Sequence, residues 1–228
     1  MGGGVSGGGF GWVGADGGAE GCGEGFLVRE DFAAGLGELG REIRERGGVL
    51  TSSGGARELT AEVTEARSPV SLHYLGRAID LCIWSGMQTA DDPYLVIEEP
   101  NAADAERPRW RVYAAGRAGT AAPEEGPYDA CLWRAEAGVV RQRRSGPVFD
   151  LTALLAERGW RRIPARPCWP SNYLCVEWWH FERHDGLVAG ATTFGEELRR
   201  VHRWETIAGS PLVASLDRVW DGRYFAPV

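Results

Sequence analysis

Only four histidines occur in the 228 residues: His73, His180, His184 and His202. Two of them stand near carboxylates in apolar surroundings. His73 precedes Asp80 in Ser71-Leu72-His73-Tyr74-Leu75-Gly76-Arg77-Ala78-Ile79-Asp80, and Glu177 precedes His180 in Val176-Glu177-Trp178-Trp179-His180-Phe181. Burying two carboxylates in such settings without a cation is unfavourable, and a divalent metal removes the objection. Two neutral imidazoles and one carboxylate form a three-ligand set for a catalytic zinc with an open fourth position. Glu177, left outside that set, is free to carry a proton. The chemistry implied is metal-assisted hydrolysis.

Together the two stretches resemble the signature of the D-alanyl-D-alanine carboxypeptidase and dipeptidase family. That family lies within the wider group that includes lysostaphin-type peptidases and the hedgehog signalling domain. The first stretch matches at Ser71, His73, Gly76, Ala78 and Asp80, and Glu177-Trp178-Trp179-His180 resembles the form found in vancomycin-resistance dipeptidases. The resemblance extends from about Val49 to Phe181. It implies that His73, Asp80 and His180 hold one Zn2+ ion, with Glu177 as general base and a zinc-bound water as nucleophile. It also implies that Arg57 holds a substrate carboxylate. Arg57 ends Ser53-Gly54-Gly55-Ala56-Arg57, the counterpart of a Ser-Gly-Tyr-Arg-like loop, here one residue longer and without the tyrosine-like position.

The implied activity is hydrolysis of a peptide bond in a small or cell-wall-derived peptide, of the D,D-carboxypeptidase or D,D-dipeptidase type. Three alternatives stay open: a phage-type L-alanyl-D-glutamate endopeptidase, a zinc enzyme acting on a non-wall amide in specialised metabolism, and a non-catalytic zinc-containing binding module. Retention of Glu177 disfavours the last, because a purely structural site needs no proton carrier.

Other polar residues near the motifs have quieter readings. His184 is four residues beyond His180, a spacing that suits two ligands on a helix, but the turn signal Asp185-Gly186 argues against a helix there. It is read as a donor near the site. His202, on the last helical stretch, is read as a surface residue, and Ser71 as an orienting hydrogen-bond partner. Trp178 and Trp179 point to opposite faces if the segment is extended, one into the core and one toward a substrate pocket.

The elements expected to position these groups are short. Phe32, Leu36, Leu39 and Ile43 recur at helical spacing behind Asp31, read as the cap, and Gly47-Gly48 closes the helix. Strands are expected at 49–51, at 79–84 carrying Asp80, at 94–97 paired with 110–113, at 131–133 paired with 139–140, and at 174–181. Asp150 caps a second helix ending at Gly159, and Thr193-Phe194-Gly195-Glu196 is a capping box for a third. Pro164, Pro167 and Pro170 make 163–172 an irregular connection, 120–128 is read as a loop, and 220–225 as a terminal hairpin. Helices and strands are segregated rather than alternating, so the fold expected is α+β: a small antiparallel sheet with helices packed on one side. The resemblance implies a hedgehog/DD-peptidase-like version of it.

Residues 1–25 hold thirteen glycines with little periodicity and are read as a flexible arm, leaving 26–228 as a single zinc peptidase-like domain. Met1-Gly2-Gly3-Gly4-Val5-Ser6 fits a myristoylation pattern in form, but a glycine-rich tail is the simpler reading. The formal charge of −7 argues against the basic footprint of a nucleic-acid binder. No apolar run has the length of a membrane span. The resemblance implies small peptides or peptidoglycan-derived substrates as partners. The five cysteines, Cys22, Cys82, Cys131, Cys168 and Cys175, are odd in number and contain no C-x-x-C pair. They are read mainly as buried thiols, with Cys168 and Cys175 close enough to pair or merely pack. With no secretory signal visible, a cytoplasmic location is expected, the competitor being release to the cell wall by another route.

Overall fold

In the main apolar core, one long helix lies against short strands contributed from both ends of the chain. The computed structural model describes residues 9–16, 22–64, 67–101, 104–117 and 126–225. The expected myristoylation pattern and most of the loop expected at 120–128 lie outside these residues. Strands β1 (Phe10–Gly14) and β2 (Gly25–Arg29) form an antiparallel pair, in register from Phe10 opposite Arg29 to Gly14 opposite Gly25. Phe10–Gly14 lies within the stretch expected to be a flexible arm, so that expectation is corrected for this segment. Its pairing with β2 supplies the backbone hydrogen bonds that its glycines alone could not.

Helix α1 (Glu30–Glu45) follows directly, and Phe32, Leu36, Leu39 and Ile43 are all buried, as their spacing requires. Asp31 is not its cap. Arg29 holds that position, and the Asp31 carboxylate pairs with the Arg29 guanidinium at 2.5 Å. Residues 49–51 do not form a strand; Thr51 instead bonds the buried Tyr94 hydroxyl through its backbone N–H.

The next elements are β3 (Ala78–Asp80), β4 (Tyr94–Glu99), β5 (Arg109–Ala115), β6 (Tyr128–Arg134), β7 (Gly138–Arg144) and β8 (Val148–Asp150). Helix α2 (Leu151–Glu157) is capped by the Asp150 carboxylate, which accepts from the Ala153 N–H. Then come β9 (Trp160–Arg162), β10 (His180–Arg183), α3 (Phe194–Val201) and α4 (Trp204–Ala208). Both expected hairpins, β4–β5 and β6–β7, are present, and Thr193 and Glu196 form the expected capping box of α3. Residues 174–181 are not one strand: a 3-10 turn at Tyr173–Cys175 precedes an irregular stretch, and only β10 is extended. Trp178 and Trp179 are consequently both buried in the core. The C-terminal segment forms a 3-10 turn, Gly222–Phe225, rather than a hairpin.

The α+β class holds in its coarse form. Among the described residues, the strands divide into four small sheets, β1-β2, β3-β10-β9, β4-β5-β8 and β6-β7, and every strand pair is antiparallel. Among the described residues, no helix is long and apolar enough to cross a membrane.

The sheet β3-β10-β9 separates two apolar clusters. Ile79, Trp160 and Phe181 face the larger one, which holds α1 and α2. Ala78 faces the smaller one, built from Leu72, Tyr74, Leu75, Phe194, Leu198 and Trp220. The period-2 alternation of strands therefore puts Asp80, His180 and Glu182 on the second face. The smaller cluster is fastened to this sheet by a buried pair, Arg77 Nη2 to Glu197 Oε2 at 2.8 Å.

Candidate metal centre

His180 is directly opposite Asp80 in the β3–β10 ladder, so residues 100 positions apart share one face. His73 arrives from the side. It sits in a buried 3-10 turn, Leu72–Leu75, whose N-cap Ser71 accepts from the His73 N–H. Gly76 ends that turn in the left-handed region (φ 62°), where a Cβ would meet the Arg29 backbone nitrogen at 2.7 Å. A glycine is therefore required to bring the chain from His73 into β3.

Three donor atoms converge. His73 Nε2 lies 3.1 Å from Asp80 Oδ2, His180 Nδ1 lies 2.9 Å from Asp80 Oδ1, and the two ring nitrogens are 3.2 Å apart. Tetrahedral zinc with ligand distances of about 2.0–2.1 Å places its donors about 3.3 Å apart. The triangle is close to that size, and His73, Asp80 and His180 together could hold a metal ion.

The orientation of each imidazole is set by its other nitrogen. His73 Nδ1 is 2.6 Å from the Gly55 carbonyl oxygen, which can only accept, so Nδ1 carries a proton and Nε2 is the nitrogen turned inward. His180 Nε2 donates to Glu182 Oε2 at 3.1 Å, leaving Nδ1 to face the same point. Glu182 Oε1 in turn accepts from His184 Nε2 at 2.8 Å. Such outer partners fix tautomer and ring orientation in metal sites.

The electrostatics favour a cation at this point. Burial by itself would lower the His180 pKa, but hydrogen bonds donated to Asp80 and Glu182 raise it to about 10, so a metal ion here would displace the proton that Nδ1 shares with Asp80. Burial also opposes ionisation of Asp80, yet the His73 charge and hydrogen bonds from both histidines hold its carboxyl well below the usual range. Glu182, likewise buried, is brought down to about 2 by bonds from His180 and His184.

Two other predicted site residues are placed differently. Glu177 is buried and has a positive φ of 63°, one of two described non-glycine residues with positive φ. Such strain concentrates at functional positions. Its carbonyl accepts from the His180 N–H at 3.2 Å, and its carboxylate is ion-paired with Arg166. Arg57 touches the site through backbone only, its N–H donating to the His73 carbonyl at 3.1 Å, while its guanidinium stands over the Tyr74 ring.

The loop before Arg57 does bind both ligand segments. Asp80 N–H donates to Gly54 O at 2.9 Å, and Gly55 supplies the carbonyl on His73. A Cβ at Gly55 would fall 2.2 Å from Leu27 O, so this backbone position is closed to larger residues.

Sequence reasoning missed Glu182 and Arg166. His180, Glu182 and His184 alternate along one strand face, and that period was the available signal for Glu182. Arg166 reaches Glu177 from an irregular segment and has no such pattern. His184 is not among the three converging ligands; its ring stacks on Tyr224 with centroids 4.5 Å apart. His202 is part-buried, with Nε2 2.7 Å from Tyr74 O.

The reading of the cysteines as thiols is corrected. Disulfides join Cys22 to Cys82 and Cys168 to Cys175, leaving Cys131 free and buried. Proximity decides this outcome: both pairs have Cα separations near the disulfide optimum, at 5.4 and 5.5 Å. No protein family, curated protein or solved structure matches the chain.

Proposed function

We propose that the chain is a zinc-dependent peptide hydrolase of the D,D-carboxypeptidase or D,D-dipeptidase type. One observation carries this reading: two histidine ring nitrogens and one carboxylate converge within about 3 Å of one another, each histidine oriented by a partner on its far nitrogen. Zinc suits a site of two imidazoles and a carboxylate, and when bound it supplies hydroxide near neutral pH and polarises a scissile carbonyl.

The remaining work falls to the chain itself. His73, Asp80 and His180 hold the ion, and Glu182 keeps His180 in the ligating tautomer. Glu177 takes a proton from the attacking water and returns it to the departing amine. Its strained backbone and its pair with Arg166 support a fixed, functional orientation for that carboxylate. A cleft walled in part by His180, Glu182 and His184 is where a peptide would approach this face of the sheet.

The two disulfides favour an oxidising setting, and so release to the cell wall over a cytoplasmic location. Metal analysis combined with assays on free D-Ala-D-Ala, a wall pentapeptide and intact peptidoglycan tests the whole reading. Zinc at one ion per chain with turnover of the small peptides is expected. Metal-loaded protein inactive on all three substrates would overturn it.

A further inference from the structure

The edge strand β9 carries a guanidinium that the metal centre does not use. Arg162 is paired with Phe181 in the ladder and alternates with Trp160. It therefore lies on the opposite face of the sheet from Asp80, His180 and Glu182. Its side chain is only 9 % exposed, and Nη2 donates to Glu99 Oε2 at 2.6 Å. Nε and Nη1 are buried too, yet have no hydrogen-bond partner among the described residues. A guanidinium cannot lose its charge in a protein. Burial denies these two N–H groups water, so leaving them unpaired is unfavourable.

Glu99 cannot supply what is missing. Its other oxygen, Oε1, is already ion-paired with Arg111 at 2.7 Å. A second guanidinium stands close by. Arg109 is directly opposite Glu99 in the β4–β5 ladder, so the two side chains leave the same face of that sheet. Burial, together with the neighbouring Arg162 charge, holds the Arg109 pKa below its usual value. Both arginines line a cleft of about 570 Å³, as do Asn101, Ile163 and Pro164 from the adjoining chain segments. Buried donors lacking acceptors, a like charge beside them and open space in front together point to an anionic ligand. One carboxylate has two oxygens, the number that a single guanidinium fork takes up. A phosphate group offers three strong acceptors and a charge of about −1.5 to −2 at pH 7, which suits two guanidiniums.

We propose that Arg162 and Arg109 bind a phosphate group, as free phosphate or as the terminal monoester of a small molecule, at a site separate from the metal centre. Arg162 supplies Nε and Nη1 as donors, and Glu99 holds its guanidinium in place through Nη2. The site requires neither a metal ion nor turnover, so it stands or falls independently of the peptidase reading.

Calorimetric titration of the full-length protein with inorganic phosphate, glycerol phosphate and acetate tests this. Zinc-loaded and chelator-treated samples are both needed, because a metal ion can itself take up phosphate. One phosphate group per chain is expected in both samples, saturating in the millimolar range or below. Arg162→Gln should weaken binding by about tenfold or more, the scale of losing a hydrogen bond to a charged group. Arg109→Gln should weaken it as well, and Arg162→Lys, which keeps the charge but not the fork, should fall between Arg162→Gln and the wild type. Arg223→Gln should change nothing, since that side chain is exposed and paired with Asp221. Tighter binding of glycerol phosphate would support the site and assign it to a monoester, and equal or weaker binding would support it as a site for free phosphate. Acetate binding as tightly as phosphate overturns the proposal, as does phosphate affinity unchanged in Arg162→Gln or lost on chelation. Should Arg162→Gln fail to fold, Arg109→Gln and the wild-type unfolding temperature decide. Phosphate should raise that temperature in the chelator-treated wild type, and no rise overturns the site.

Discussion

His73 Nε2 and His180 Nδ1 face each other at 3.2 Å, although 107 positions separate them in the chain. They present different ring nitrogens to the same point because their partners differ. A backbone carbonyl holds Nδ1 of His73, whereas the Glu182 carboxylate holds Nε2 of His180. Asp80 closes the triangle from the neighbouring strand.

That triangle should bind zinc as a unit. His73→Ala, Asp80→Ala and His180→Ala are each expected to lose most of the metal, and a chelator should remove it from the wild type along with activity. Elemental analysis of the purified variants checks this. Full zinc in folded His180→Ala would move the ligand role to His184 or end the assignment.

Glu177→Gln separates proton transfer from metal binding. The substitution keeps shape and hydrogen-bonding capacity but removes the base, so fold and zinc should persist while turnover falls about 10²-fold or more. Substrate affinity should change much less. Wild-type-like turnover in the folded, zinc-loaded variant would sink the mechanism.

Glu182→Gln probes the support behind His180. An amide cannot supply the negative charge that accepts from His180 and His184, so the ring loses its strongest orienting partner. Metal affinity should weaken by about 10- to 100-fold, with turnover restored at saturating zinc. Competition with a metal-sensitive dye gives the dissociation constant, and an unchanged value would show that Glu182 does not tune the site.

The disulfides should matter unequally. Chain-entropy reasoning assigns about 4 kcal/mol to a bridge spanning the 60 positions from Cys22 to Cys82, and about 2.5 kcal/mol to the one spanning 7 from Cys168 to Cys175. Thermal unfolding of Cys22→Ser/Cys82→Ser and Cys168→Ser/Cys175→Ser proteins should follow that order. The second bridge encloses Tyr173 and lies between Arg166 and Glu177, so its loss should lower activity more than its effect on stability suggests. Thiol counting in denaturant should find Cys131 alone; burial raises its pKa to about 11, which protects it from alkylation in the native protein. Five reactive thiols without reductant would refute both bridges.

Much of the site was legible from residue type and spacing. His73, Asp80 and His180 stood out because histidines are scarce and carboxylates in apolar segments demand a partner, and the structure places all three together. The helix at Glu30–Glu45, the hairpins β4–β5 and β6–β7, and the capping box at Thr193 were equally readable, since each depends on contacts between residues near in sequence. What only the tertiary structure decided depends on long-range proximity. The Gly55 carbonyl on His73, the Arg166 pair with Glu177, the Cys22–Cys82 bridge and the strand at Phe10–Gly14 have no local pattern that announces them. Local propensity sets which elements form, whereas which distant donor meets which acceptor is decided when two apolar clusters close on opposite faces of one small sheet.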